Sequence, residues 1–199
     1  MREDSGEGGA VPYYLNFFVA PRVQVMPDVG SIAQPGPLAY FLTWTTYGSW
    51  LPGDERGWVD GLGAMHLAEP SRAAVARRSM KEPAVRLAVP QRVVVERAVT
   101  AHCGTRGWHL HAVQCRSQHV HVVVTAVKAS PDEVLRQLKT WCTRALRRME
   151  GERSADSARR RWWTEGGSRR QVFREGDLAS VIAYVTECQG IPTRRPPPV

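Results

Sequence analysis

Two histidines one residue apart, His119 and His121, open the apolar run HVHVVVTA. In a β-strand, residues i and i+2 project from the same face about 7 Å apart along the chain, so these imidazoles point one way while Val120 and Val122 point the other. Two neutral imidazoles so placed are two arms of a metal site. The bland alternative is a pair of strand-end histidines meeting water or a backbone carbonyl. A second pair, His109 and His111, lies on the preceding strand-like segment. Depending on register it shares a face with the first, and a four-histidine zinc site is the minor alternative, since paired strands rarely cluster ligands so tightly. Further on, Tyr184 stands beside the apolar stripe Leu178, Val181, Ile182 and Val185 of a helical segment, with Glu187 at i+3 and Cys188 at i+4. A carboxylate beside a tyrosine can add to the ligand shell that two histidines begin. A structural tyrosine, its ring buried and its hydroxyl at the surface, would occupy the same boundary.

Positive charge is the next feature. The 199 residues carry 27 Lys and Arg against 19 Asp and Glu, a net of +8, and Lys81, Lys128 and Lys139 are the only lysines. Arg144, Arg147, Arg148, Arg153, Arg159, Arg160 and Arg161 fall close to Trp162 and Trp163. Guanidinium groups bind phosphate bidentately and tryptophans offer stacking surfaces to unpaired bases. A solvated charge run at a helix end is the competing reading. In YGSWLPGDERGW, Tyr47, Trp50 and Trp58 either line a DNA groove or pin the loop, and pinning is preferred for Trp58.

The elements that must position these groups follow from pattern. LAYFLTWTTY, residues 38–47, reads as the first strand, followed by a glycine-punctuated loop. EPSRAAVARRSMK reads as a short helix with Pro70 in its first turn, and the segment from Pro90 as a stronger one ended by Gly104 or Gly107. WHLHAVQC and HVHVVVTAV are two strands joined by Arg116–Gln118, a hairpin-length connection. Ser130 caps a helix with Pro131 at its first position and Val134, Leu135, Leu138, Trp141, Cys142 and Ala145 at helical spacing. WWTEGGSRRQVF predicts a strand–turn–strand or edge hairpin around Gly166 and Gly167, and a last helix is expected with Asp177 as cap and Gly190 as terminator. The order β, α, β, β, α, β, α is that of an α+β, ferredoxin-like antiparallel sheet with flanking helices and a C-terminal helix carrying the tyrosine.

Length and composition fit one domain plus tails, with 43% hydrophobic residues to build a core. Residues 1–36 read as a disordered or extraneous tail, 37–192 as the domain, and 193–199 as a Pro/Arg-rich tail. No stretch has the apolar length of a membrane span or the layout of a signal peptide. The four cysteines form no C-x-x-C pair. A cytoplasmic protein with free thiols, away from membranes, is the expectation.

QHVHVVV resembles the His-hydrophobic-His motif of HUH endonucleases, and with AYVTECQG downstream the chain resembles single-tyrosine transposases of the IS200/IS605 type. The likeness is strongest to REP-associated tyrosine transposases, whose segments are similar to FLTWTTYGSWLPGDERGWV (41–59) and WWTEGGSRRQV (162–172). It covers about residues 38–192. The resemblance implies a divalent metal, Mg²⁺ or Mn²⁺, on His119 and His121, with Tyr184 as nucleophile. It also implies cleavage and rejoining of single-stranded DNA through a 5′-phosphotyrosine, beside a REP-like hairpin or element end, by a monomer or homodimer. The family's third ligand, commonly a glutamine one turn after the tyrosine, meets Cys188 here, a poor ligand for Mg²⁺. Glu187, by helix geometry, and Gln189, by residue type, are the candidates. Arg144, Arg147, Arg148, Arg160, Arg161, Tyr47 and Trp50 are the expected DNA contacts. A catalytically silent hairpin-DNA-binding protein of the same fold is the alternative function.

Overall fold

The structure, a computed structural model, describes residues 36–60, 63–151 and 159–187. The expected tails lie outside these residues except for Gly36, as do Arg153, Cys188, Gln189 and Gly190. Strand β1 (Ala39–Thr45) is buried on both faces. Tyr40, Leu42 and Trp44 enter one core and Ala39 and Phe41 another, as two-residue alternation requires of a strand sandwiched between layers.

Residues 51–78 form a compact unit of their own. In it β2 (Trp58–Val59) pairs antiparallel with β3 (Met65–His66), and α1 (Pro70–Arg78) starts at the expected proline. The expected glycine-punctuated loop therefore contains the first strand of a small hairpin. Trp58 stacks on His66 with 4.3 Å between ring centroids, and the Arg72 guanidinium lies 4.8 Å from the tryptophan ring.

In the other unit, helix α2 (Val89–Arg106) leads to β4 (His109–Cys115). Gly107 ends α2 in the left-handed region at φ 64°, where its N–H reaches back to the helix's last carbonyls. Strand β5 (His119–Thr125) completes the hairpin, and α3 (Pro131–Met149) follows. The Ser130 side chain caps α3 by accepting from the Glu133 N–H at 3.2 Å, with Pro131 next in line as expected. Then come β6 (Ser168–Val172) and α4 (Glu175–Thr186).

The sheet runs β4-β5-β1-β6 with every pairing antiparallel. Its βαββαβ connectivity is ferredoxin-like, and α4 is the added helix. Helices α2 and α3 cover one face through Val95, Val99, Leu138, Cys142 and Leu146 against Leu42, Trp44, Val120, Val122 and Val124. The other face belongs to α4, whose Val181 and Val185 pack on Ala39, Phe41, Ala112, Val123 and Val172. Among the described residues no helix is long and apolar enough to cross a membrane. Cys103, Cys115 and Cys142 are free and buried.

Two local expectations are corrected. The segment around Gly166 and Gly167 does not turn back on itself. Trp163 bridges Thr46 and Ser168 pairs with Thr43, so both parts lie along one edge of β1 and the glycines bulge out between them. Gly167 sits at φ 146°, and a Cβ there would meet the Thr43 carbonyl oxygen at 2.8 Å, so the bulge needs glycine. Asp177 is not the cap of α4 either. Arg174 holds the N-cap position, and Glu175 and Asp177 both lie in the first turn, where carboxylates suit the positive end of the helix dipole.

Candidate active site

Alternation along β5 puts Val120, Val122 and Val124 into the α2/α3 core and leaves His119, His121 and Val123 for the α4 face. Strand pairing builds a row of side chains across that face. Gln114 of β4 stands opposite His121, His121 opposite Thr43 of β1, and Thr43 opposite Ser168 of β6. In the next row His119 faces Thr45, whose hydroxyl donates to Thr164 Oγ1 at 3.0 Å, and the Arg116 N–H donates to the His119 carbonyl at 2.8 Å.

His121 is 7% exposed, and its Nδ1 lies 2.9 Å from Thr43 Oγ1. In the tautomer protonated at Nδ1, that N–H donates to the threonine and the Nε2 lone pair is left for a ligand. Phe41 stacks on the imidazole at 5.8 Å with planes 22° apart. Burial, helped by the neighbouring His119 and Arg116, pushes the His121 pKa down to about 3, which keeps the ring in its neutral, ligating form. The His119 ring is 4.8 Å away.

Helix α4 brings the tyrosine to this row. It packs against β4 and β5, and its buried Val181 and Val185 flank Tyr184 in sequence. The Tyr184 ring meets His121 edge-on at 5.9 Å and Phe41 edge-on at 6.1 Å. One face of the sheet thus gathers two histidines and a tyrosine that lies 63 positions beyond the nearer of them. Positive charge stands on the same face: the Arg170 guanidinium lies 5.6 Å from the Phe41 ring, its pKa lowered by burial and partly held up by Asp177.

No family model matches the chain, and no curated protein does. Similar solved structures include two transposases. One is a candidate transposase from Deinococcus radiodurans R1, at 14% identity and a TM-score of 0.41, covering 79% of this chain and 95% of that one. The other is a REP-associated tyrosine transposase bound to a REP hairpin, at 9% identity and a TM-score of 0.41, covering 80% of this chain and 70% of that one. At identities this low, the roles of individual residues rest on the geometry of this chain alone.

Other candidates fall elsewhere. Glu187 is exposed at the C-cap of α4, its N–H donating to the Ala183 carbonyl at 2.8 Å. Among the described residues no group of three or more His, Cys, Asp and Glu is placed to hold a metal, so Glu187 does not join the two histidines in such a set. Gln189 lies outside the described residues. His109 pairs with Thr125, at the opposite end of β5 from His119, and His111 turns to Thr125 Oγ1 at 2.8 Å. Thr125 is four strand steps, about 13 Å, beyond His121, and among the described residues no group of three or more His, Cys, Asp and Glu is placed to hold a metal, so a four-histidine site does not form.

The arginines of α3, Arg144, Arg147 and Arg148, are exposed on the helix layer that covers the opposite face of the sheet. Arg144 lies 5.0 Å from the Trp141 ring. Arg160 and Arg161 are exposed, but their backbone N–H groups both donate to the Glu82 carboxylate at 3.2 Å, which fixes the start of that segment. Arg161 extends over the Tyr47 ring at 5.9 Å, and the Tyr47 hydroxyl accepts from the Lys81 N–H at 3.1 Å. Tyr47 is therefore anchored to its own unit, and Trp50 is half-buried in the turn after β1. Sequence reasoning missed Phe41, Thr43, Gln114, Arg116 and Arg170. Alternation puts Phe41 and Thr43 on one face of their strand, but only the register shows which histidine they meet.

Proposed function

We propose that this protein cuts and rejoins single-stranded DNA, with Tyr184 as the nucleophile and His119 and His121 as ligands of a divalent metal, Mg²⁺ or Mn²⁺. The observation that carries this reading is the Tyr184 ring set edge-on 5.9 Å from a buried, neutral His121 whose neighbour in the same face is His119. The Tyr184 oxygen attacks a backbone phosphorus, the bond to the 3′ oxygen breaks, and a 5′-phosphotyrosine and a free 3′-hydroxyl result. The phenol gives up one proton and the departing 3′ oxygen takes one, so the step is balanced. Because the phosphotyrosine ester conserves the energy of the broken bond, a second 3′-hydroxyl can attack it and join strands without a nucleotide cofactor. A tyrosine of ordinary pKa near 10 is a weak nucleophile, and a divalent metal when bound would orient the phosphate and offset its developing charge. Thr43 holds the His121 ring in orientation, Phe41 shields it, and Arg116 and Arg170 add positive charge to the face that the strand would cross. Recognition beside a DNA hairpin is part of the proposal and comes from the sequence resemblance.

One observation favours a second reading, a silent hairpin-DNA-binding protein: among the described residues no group of three or more His, Cys, Asp and Glu is placed to hold a metal. The readings separate on end-labelled hairpin DNA taken from the flanks of the protein's own gene, with Mg²⁺ or Mn²⁺ supplied. Cleavage should fall on the order of a hundredfold or more in His119→Ala and in His121→Asn, with hairpin binding retained, since phosphate contacts do not depend on the metal. Hairpin binding by the wild type with no metal-dependent cleavage would establish the silent reading.

A further inference from the structure

We propose that Gln114 is the third protein donor to the divalent metal, through its amide oxygen. The inference deepens the metal-dependent reading above and rests on it. Three observations on the page converge. The hairpin register sets Gln114 directly opposite His121, and opposed residues of antiparallel strands hold their Cβ atoms about 4.5–5.5 Å apart on the same face. His119 is the diagonal neighbour in that face, so one glutamine and two histidines share a single patch of sheet beneath α4.

The second observation is that Gln114 Oε1 is buried and has no hydrogen-bond partner. A buried acceptor without a donor is unfavourable and is seldom left so without a reason. A cation between this oxygen and the imidazoles would satisfy it. The third is chemical: Mg²⁺ and Mn²⁺ favour oxygen donors, including amide carbonyls, whereas Glu187 at the C-cap of α4 is exposed. Two imidazoles and one amide are all neutral. The cation would keep its full charge for a DNA phosphate, which suits a site that must hold an anionic substrate.

The test uses the full chain and Mn²⁺ alone, with affinity read by calorimetric titration and by water-proton relaxation. Gln114→Ala should weaken Mn²⁺ binding about tenfold or more. Gln114→Met, which keeps the length of the side chain without a hard oxygen, should lose as much, and Gln114→Glu should match or exceed the wild type. Glu187→Ala should bind Mn²⁺ as the wild type does. Metal-free melting and hairpin affinity serve as checks that each variant is folded. If the wild type binds Mn²⁺ and both Gln114→Ala and Gln114→Met bind it equally well, the third-donor proposal fails while the two-histidine reading stands. If Glu187→Ala is the variant that loses the metal, the third donor comes from α4. A wild type that takes up no Mn²⁺ overturns this proposal and the metal-dependent reading together.

Discussion

His121 shows how burial and function meet in one side chain. Its pKa of about 3 lies well below the ordinary 6.5, because an imidazolium in that position would lose its hydration beside His119 and Arg116. Below about pH 6.5 the unfolded chain takes up a proton at this residue and the folded chain does not. The stability that depends on the neutral ring is therefore complete above pH 6.5 and is lost progressively as the pH falls toward 3. At pH 5 the loss from this one group is about 2 kcal/mol, a drop of about 4–8 °C in melting temperature. Calorimetry across pH 7.5 to 5 should show a shallower decline in His121→Asn than in the wild type. Parallel declines would mean that the ring titrates normally. The same residue marks the limit of local reading. H-x-H placed both imidazoles on one face from the sequence, but nothing within a few residues of His121 reveals Thr43, which is 78 positions away and fixes the ring.

Among the elements, legibility followed the range of the forces involved. Helix α3 was readable because its signals are local: a serine cap, a proline at the first position and an apolar stripe. The stop of α2 was readable because a left-handed residue favours glycine, and Gly107 was one of two candidates. Strand β6 was not readable as a bulged edge. Its pairing with β1 depends on contacts more than a hundred residues apart in sequence, while Gly166-Gly167 looks locally like a hairpin turn. The two glycines also differ in a way that can be tested. Gly166 has φ 69° with open space where a Cβ would go, whereas Gly167 has φ 146° and faces the Thr43 carbonyl. Gly167→Ala should cost about 1–3 kcal/mol in denaturant unfolding, and clearly more than Gly166→Ala. Equal costs would imply that the bulge relaxes freely and does not constrain Thr43. The end of α4 escaped reading for another reason: helix propensity continues past Thr186, and the chain leaves the helix at Glu187 without a glycine.

The full sequence has a net charge of +8, and among the described residues arginines stand on both sides of the sheet. Of the basic run that stands out in the sequence, Arg144, Arg147 and Arg148 belong to α3 and Arg159, Arg160 and Arg161 to the segment before Trp162, while the tyrosine and histidines lie on the α4 side with Arg116 and Arg170. Under the proposed function, a DNA strand held at the tyrosine would first meet those two arginines. The fold alone does not set a function, since ferredoxin-like sheets serve many chemistries. The proposed function rests on the convergence of Tyr184, His119 and His121 on one face. The most direct measurement is a denaturing gel of the protein incubated with Mn²⁺ and single-stranded hairpin DNA, followed by mass spectrometry of the DNA-linked peptide. The account predicts an adduct that survives boiling in detergent, maps to a 5′-phosphate on Tyr184 and is absent in a folded Tyr184→Phe protein, which loses about 1 kcal/mol of stability if the hydroxyl makes a hydrogen bond. An adduct of equal yield in Tyr184→Phe, or one that maps to another residue, would contradict it.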